Sequence, residues 1–313
     1  MTHTRGDRLT GILLLILTVA GWASSPLFLK YFVNLIDAWS SNGWRYGISA
    51  LFWLPVLFLD PAARQPGTRL WRDAFWPSLF NVLGQVAFAW VLYLNVDPGL
   101  MTFLLRIQIV AVTIGAIILF PDERPLIRHP AYWIGMAAVI SGTIGAIFLG
   151  PHPPGGANLR GILTGLLSGL FFGGYALAVR ACMATYRAQT SFAAISLYTA
   201  LANIALMVAL GGDHGWCVVR RLDAPQWLLL IASAFAGIAL GHVFYYASIA
   251  RVGVMVSSCA LLLQPFVTAI FSSWIFGEQL TRAQWLSGGL SITGAAVVLM
   301  LQDRLRKRAR ATA

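Results

Sequence analysis

The chain has 313 residues, of which 58% are hydrophobic and 11% are charged, with a mean hydropathy of +0.73 and a formal net charge of +11. Soluble domains carry roughly 25% charged residues, so this composition excludes a soluble globular protein. Apolar stretches close to the roughly 20 residues that cross a bilayer as a helix recur along the whole chain, and they predict an all-α polytopic membrane protein.

Ten candidate transmembrane spans can be placed along the chain. They lie at about 10–30, 39–59, 76–95, 100–120, 131–149, 160–181, 190–210, 226–247, 253–276 and 284–302. The Pro- and Gly-rich linker "GPHPPGGANLR" falls at the midpoint and indicates a junction. We therefore expect two five-helix halves, residues 1–150 and 151–313.

The first span is interrupted by the stretch "GWASSPLFLK" at residues 21–30. Pro26 removes a backbone hydrogen bond and should bend the helix near the middle of the membrane. Such a break persists only where it is buried in protein or lines water, so the stretch is predicted to line a central cavity. Trp22 is then a stacking platform for flat cargo, with Ser24 and Ser25 bonding freed carbonyls or cargo. Pro265 in the ninth span is predicted to be a second hinge, like Pro26.

Other polar and aromatic side chains lie inside predicted spans and should face the bundle interior or a wet cavity. The predicted cargo contacts among them are Asn81, Gln85, Trp90, Arg106, Gln108, Tyr175, His242, Tyr245, Tyr246 and Gln264. Arg45 and Arg106 are also compatible with snorkelling toward the outer surface. His242 is the one intramembrane group that titrates near neutral pH, and either contacts cargo, carries a proton or is a neutral scaffold residue.

The eleven carboxylates, from Asp7 to Asp303, fall in loops, in tails or at span ends. Proton-coupled pumps for cationic drugs usually need a buried carboxylate, so the pattern favours neutral or zwitterionic cargo moving down its own gradient. No His, Cys or carboxylate has ligand spacing, and the three scattered cysteines give no disulfide framework. We expect neither a metal nor a cofactor.

Lys and Arg are distributed unequally between the two predicted sides. Fifteen fall on the side of the amino terminus and five on the other, while Arg45 and Arg106 lie inside spans. The positive-inside rule then places both termini in the cytoplasm, and the basic charge needs no nucleic acid partner. The expected location is a bacterial inner membrane.

The two halves contain related segments in the same order. Residues 10–30 align with 160–180, residues 84–93 with 237–246, and "FPDERP" with "FGEQLT", which pairs Glu123 with Glu278. Because each half holds an odd number of spans, the second half must enter the membrane upside down. The sequence therefore predicts an inverted-topology repeat, which is common among secondary transporters.

Five-helix halves of about 150 residues, the early "GWASSP…K", the "RY" in the second span and the Glu after the fourth and ninth spans resemble EamA-type members of the drug/metabolite transporter superfamily. Within it, the chain is most similar to YddG-type bacterial exporters of aromatic amino acids. The resemblance implies ten helices around a central cavity, alternating access, export of a small molecule, and a monomer or weak dimer in the lipid bilayer.

Other functions fit the sequence less well. A membrane-embedded protease using Ser168 and His242 lacks the GxSG pattern around the serine and leaves the repeat unexplained. A channel should show a selectivity ring or an oligomeric design, and neither is evident. The chain is therefore not expected to be an enzyme. The alternative within transporters is export of other metabolites or xenobiotics, with proton coupling through His242.

Overall fold

The structure, a computed structural model, describes residues 5–64, 68–150, 157–252 and 254–311. The secondary structure within these ranges is helical, without a strand, which confirms the all-α prediction. The helices are α1 (Arg5–Phe32), α2 (Ala38–Leu59), α3 (Pro61–Arg64), α4 (Leu70–Tyr93), α5 (Pro98–Leu104), α6 (Ile107–Leu119), α7 (Pro130–Phe148), α8 (Ala157–Cys182), α9 (Ala188–Leu210), α10 (Cys217–Arg221), α11 (Ala224–Ser233), α12 (Gly241–Val252), α13 (Val254–Leu261), α14 (Gln264–Phe276) and α15 (Arg282–Ala311).

Short polar signals determine where several of these helices begin. The Asp37 side chain accepts a hydrogen bond from the Ser40 backbone N–H at 2.9 Å, as an N-cap residue does. Asp223 and Gln226 form a reciprocal capping box at the start of α11. These caps satisfy backbone N–H groups that have no partner inside the helix.

Eight segments of the described chain are long and apolar enough to cross a membrane. Two of the predicted spans are not among these eight, although both regions are helical. The amino-terminal half of α2 is too polar, and its polar residues Ser40, Ser41, Asn42 and Arg45 are buried. The region 253–276 is divided into α13 and α14, each shorter than 18 residues.

The helices of the two predicted halves pair in a symmetric pattern. In order along the chain, α1, α2, α4 and α7 correspond to α8, α9, α12 and α15, and the divided spans α5–α6 and α13–α14 correspond to each other. The most extensive contacts of α2 and α7 are with their own counterparts, while α1 packs on α12 and α4 packs on α8. Exchanging the two halves leaves this set of pairs unchanged. The packing therefore has the symmetry expected of two structural repeats.

The fifth and tenth predicted spans, α7 and α15, pack through small residues. A Cβ atom on Gly142 would overlap the backbone nitrogen of Ser291 and the backbone oxygen of Ser287. The Thr143 and Ser291 hydroxyls lie 3.4 Å apart across the same interface. Glycine is required at position 142 because the two backbones approach too closely for a side chain.

Candidate functional site

The backbone hydrogen bond that Pro26 removes from α1 is replaced by contacts from the ninth predicted span. Pro26 has no N–H to donate to the carbonyl four residues earlier, which is that of Trp22. The Gln264 side-chain Nε2 donates to this carbonyl at 3.1 Å. The Thr268 hydroxyl donates to the next carbonyl, that of Ala23, at 3.1 Å. Two α14 side chains therefore donate hydrogen bonds to the α1 carbonyl groups that precede Pro26 by one turn.

The two serines beside the proline have other partners. The Ser24 hydroxyl donates to the Gly21 carbonyl at 2.9 Å. Ser25 Oγ accepts a hydrogen bond from Arg45 Nη2 at 3.0 Å. Neither serine bonds the Trp22 carbonyl freed by Pro26, to which Gln264 donates instead, and their contact with cargo remains a prediction.

The fourth and ninth predicted spans are both discontinuous helices. The first is interrupted at Leu105 and Arg106, between α5 and α6, and the second at Leu262 and Leu263, between α13 and α14. Leu105 and Leu262 are 157 positions apart, close to the 155 that separate Glu123 from Glu278. The breaks therefore fall at nearly equivalent places in the two halves, and each is followed by a 13-residue helix.

A side-chain hydrogen bond joins these two breaks. Arg106 Nη2 donates to Gln264 Oε1 at 3.2 Å, and Arg106 Nε donates to the Thr102 carbonyl at 3.3 Å. Gln264 thus accepts from Arg106 through its oxygen and donates to Trp22 through its nitrogen. One glutamine connects α1 with both interrupted spans.

Pro265 has a different local role from the one the sequence predicts. It lies in the first turn of α14 rather than inside a continuous helix. A proline there removes no helical hydrogen bond, because the N–H groups of a first turn have no intrahelical partner. The ninth span is therefore interrupted before Pro265 and is not bent by it. Whether Pro26 and Pro265 act as hinges remains a prediction.

An aromatic cluster surrounds Trp22. The ring centroids of Trp22 and His242 lie 5.1 Å apart, and those of Trp22 and Tyr245 lie 5.4 Å apart. Phe192 stacks on His242 at 4.5 Å with an interplanar angle of 26°. His242 Nδ1 lies 3.2 Å from the Ile238 carbonyl, which can only accept, so Nδ1 carries the proton. The imidazole is thus held in one orientation against two aromatic rings.

A small cavity lies beside this cluster, with a volume of about 20 Å³. That volume holds about one water molecule, so this cavity is too small for an amino acid. The lining residues are Tyr46, Asn81, Gln85, Phe192, Ser196, Gly237, Ile238 and His242. Asn81, Gln85 and His242 are predicted cargo contacts that the structure brings together.

Sequence reasoning missed five residues of the cavity wall, namely Tyr46, Phe192, Ser196, Gly237 and Ile238. Phe192 and Ser196 are four residues apart on α9 and so share one face of that helix. The Ser196 hydroxyl is buried and has no hydrogen-bond partner among the described residues. This polar side chain, one turn from an aromatic one inside a predicted span, was the available signal.

Several predicted contacts lie away from the cavity lining. Trp90 packs against Trp39, at 5.6 Å between ring centroids. Tyr175 packs against an apolar cluster that includes Trp53 and Phe192. Gln108 is half-buried in the first turn of α6, and Tyr246 lies in α12, with its side chain outside the described part of the structure.

Both intramembrane arginines are buried inside the protein, so the alternative that they snorkel to the surface is wrong. Arg45 is 2% exposed and Arg106 is 4% exposed. Arg45 Nε donates to Ser233 Oγ at 2.9 Å, and its Nη2 donates to Ser25 Oγ. No carboxylate in the described part of the chain forms an ion pair with Arg45.

The segment that covers Arg45 is a π-helical turn, Ala234–Leu240, between α11 and α12. Such turns occur frequently at functional sites. Its Gly237 lines the cavity, and a Cβ atom there would lie 2.9 Å from Ser25 Oγ and 3.6 Å from Arg45 Nη2. The cavity therefore adjoins Arg45 where Gly237 has no side chain.

A charged cluster joins the ends of α1 and α14 to the loop before α5. Lys30 Nζ lies 2.8 Å from Glu278 Oε1, and the Ser272 hydroxyl donates to Glu278 Oε2 at 2.5 Å. Asp97 is hydrogen-bonded to the same glutamate. Burial and the Glu278 charge raise the pKa of Asp97 from its ordinary 3.8 to about 6, although Lys30 opposes this shift. Asp97 therefore retains a proton more readily than an exposed aspartate.

Comparisons with known proteins agree on one family and one fold. Residues 9–148 and 159–300 match the sequence profile of the EamA-like transporter family, which thus occurs twice in the chain. A solved protein described only as "Crystal structure of protein" has a TM-score of 0.64 at 15% identity, covering 94% of this chain and 98% of its own. That likeness concerns the fold alone. None of the curated proteins that were compared matches this sequence.

Proposed function

This chain belongs to the EamA-like transporter family, and from that premise we propose that it exports aromatic amino acids across a bacterial inner membrane by alternating access, as a uniporter. Members of the family are transporters rather than enzymes, and the chain carries eight apolar helices long enough to span a bilayer. It is therefore a multi-pass membrane transporter of small metabolites. The cargo, the direction and the mechanism belong to the proposal.

The aromatic cluster at the cavity carries the choice of cargo. The centroid of the His242 ring lies 4.5 Å from that of Phe192 and 5.1 Å from that of Trp22. Aromatic rings prefer such offset and edge-to-face arrangements, so a flat cargo ring has suitable partners here. The Asn81 and Gln85 amides lie on the same cavity wall and provide neutral hydrogen-bonding groups for a zwitterion.

The cavity holds only about one water molecule, so cargo entry requires the surrounding helices to move. The interrupted fourth and ninth spans are suited to such a movement, because discontinuous helices at repeat-related positions are typical of transporter binding sites. Arg106 and Gln264 join the two breaks and so couple any movement of one to the other. We propose that Pro26 and this pair form the central hinge region.

Loop contacts support the inverted arrangement of residues 1–150 and 151–313, with ten spans. On the predicted outer side, Lys30 pairs with Glu278, and the Thr281 hydroxyl donates to the Leu149 carbonyl at 2.9 Å. On the predicted inner side, the Tyr186 hydroxyl donates to Asp73 at 2.8 Å. These contacts join loops that the charge distribution independently assigns to one side each.

Cysteine labelling tests this topology. Arg160 near the start of α8 and Arg187 after its end are both exposed and are predicted to lie on opposite sides of the membrane. In a variant without native cysteines, an impermeant thiol reagent added to whole cells should label Arg160→Cys and spare Arg187→Cys. Equal labelling of both would contradict the inverted repeat.

Efflux from cells tests the function. Bacteria that express the protein and are loaded with labelled phenylalanine should release it faster than cells without it. Trp22→Ala should abolish the gain, whereas Trp76→Ala should retain it, because Trp76 is 55% exposed and does not line the cavity. Equal loss in both variants, or no gain with the unmodified protein, would contradict the proposal.

A further inference from the structure

We propose that Arg45 binds the carboxylate of the cargo, with the Ser25 hydroxyl as a second donor, at the point where only the Gly237 backbone separates these donors from the cavity. This inference rests on the proposed function, since it identifies the charged pole of the same site. It assigns the anion contact to Arg45 and leaves Arg106 as the residue that joins the two helix breaks.

Arg45 is a buried charge without an ion-pair partner among the described residues. A guanidinium stays protonated in proteins, and a buried charge is costly unless it is paired. Arg45 is 2% exposed, yet both of its hydrogen-bond acceptors are neutral serine hydroxyls. Its Nη1 has no hydrogen-bond partner among the described residues. A cargo carboxylate would supply the missing negative charge.

The two serine partners of Arg45 have different hydrogen-bonding roles. Ser25 accepts from Arg45, and its own hydroxyl proton is donated to no described residue. That proton is available to a carboxylate oxygen. Ser233 instead donates to the Leu230 carbonyl at 2.6 Å, so it fixes the guanidinium from the far side. Arg45 and Ser25 together can thus present donors to both oxygens of one carboxylate.

The cavity comes closest to Arg45 and Ser25 beside Gly237. Gly237 lines the cavity, and a Cβ atom at this position would approach both Ser25 Oγ and Arg45 Nη2. Because residue 237 is a glycine, no side chain separates the cavity from these donors at this point. The ring of a bound aromatic amino acid would lie against Phe192 and His242, while its carboxylate would point toward Gly237.

Arg106 is buried like Arg45 and also has neutral acceptors, but its partners and its surroundings differ. Its acceptors are the Thr102 carbonyl and the Gln264 side-chain oxygen, which belong to the helix breaks. Neither arginine lines the cavity itself, but the atoms nearest to a Cβ at the lining Gly237 include Arg45 Nη2 and none of Arg106. Arg106 is consequently the matched control for Arg45, as a second buried arginine with a positioning role.

The experiment compares an acid with its neutral amide. For the purified protein, thermal stabilisation is titrated with 3-phenylpropionate and with 3-phenylpropionamide, and transport is measured with phenylalanine and phenylalaninamide. The unmodified protein should prefer each acid by at least about tenfold, since a charge-assisted pair is worth about 1.5–3 kcal/mol. Arg45→Gln should lose this preference, and Arg106→Gln should retain it.

Two further variants cover the case in which Arg45→Gln does not fold. Arg45→Lys keeps the charge and should keep part of the preference. Gly237→Ala keeps Arg45 but adds a Cβ atom 2.9 Å from Ser25 Oγ, between the cavity and the donors, and should weaken acid binding more than amide binding. An unchanged acid-to-amide ratio in both Arg45→Gln and Gly237→Ala would overturn the inference.

The two proposals can fail separately. If the unmodified protein does not move phenylalanine, the proposed cargo is wrong, and the stabilisation by 3-phenylpropionate still tests Arg45. If phenylalanine is transported and Arg45→Gln retains the acid preference, the transport function stands and the assignment of Arg45 is overturned.

Discussion

The side-chain amide of Gln264 donates a hydrogen bond to the main-chain carbonyl of Trp22 at 3.1 Å, across 242 positions of sequence. This carbonyl is the one that Pro26 leaves without a helical donor. A polar side chain inside one span thus compensates a proline in another, while the same glutamine accepts from Arg106. The central bundle depends on this shared residue.

Replacing Gln264 should therefore be costly in a way that depends on residue 26. Gln264→Leu leaves the Trp22 carbonyl without a donor and should lower the free energy of unfolding by about 1–3 kcal/mol. In a Pro26→Ala background the new N–H can reach that carbonyl, and the loss should be about 1 kcal/mol smaller. Unfolding of the four variants in detergent measures this coupling. An equal loss in both backgrounds would contradict the assignment.

The α7–α15 contact should tolerate no side chain at Gly142. A Cβ atom there meets the backbone of α15, which cannot move aside as a side chain could, so Gly142→Ala should destabilise the protein by about 1–3 kcal/mol. Gly289→Ala, in α15 itself, is the matched control because its Cβ atom would meet nothing within 4 Å. That variant should be neutral or slightly stabilising. Similar unfolding temperatures for both would refute close backbone packing.

Asp97 should make stability depend on pH between about 6 and 4. Its pKa in the folded protein, about 6, lies above the ordinary 3.8, so the folded state binds this proton more tightly. Stability from this group therefore increases as the pH falls through 6 and is lost as the pH rises.

Asp97→Asn should accordingly raise the unfolding temperature at pH 7.5 and remove the gain that the unmodified protein shows at pH 5. Asp213→Asn is the control, because Asp213 belongs to an exposed pair with Arg220 and such pairs contribute little. It should keep the pH profile of the unmodified protein. A pH profile of stability that Asp97→Asn leaves unchanged would contradict the raised pKa of Asp97.

His242 should contact cargo rather than carry a proton. Its ring stacks on Phe192 at 4.5 Å, and its Nδ1 is bound to the Ile238 carbonyl. His242→Gln should raise the KM for aromatic cargo several-fold and leave the response to a pH gradient unchanged. Transport that the gradient drives in the unmodified protein, and not in this variant, would favour the proton-coupled alternative.

Apolar runs were sufficient to predict where helices lie, because the bilayer thickness sets their length. Hydropathy did not reveal the breaks, since Leu105 and Leu262 are apolar and the adjacent Arg106 and Gln264 were interpreted as cargo contacts. The polarity of Gln264 indicated an interior position, but its partner Trp22 is distant in sequence. Such a pairing depends on tertiary packing that no local pattern records.

The two arginines show the same limit more clearly. Distance from a predicted span end suggested that Arg45 could snorkel outward. The structure instead covers it with α1 and α11 through Ser25 and Ser233. Phe192 and Ser196 were missed because a polar side chain one turn from an aromatic one does not by itself distinguish a cavity wall from ordinary core. Their role follows only from the cavity that they share.

Flux of labelled phenylalanine into liposomes that contain the purified protein, with and without an imposed pH gradient, tests the central claim most directly. A uniporter for aromatic amino acids should give saturable uptake that exceeds that of empty liposomes and is insensitive to the gradient. Uptake no faster than in empty liposomes would contradict the aromatic cargo. Uptake that requires the gradient would contradict the uniport mechanism.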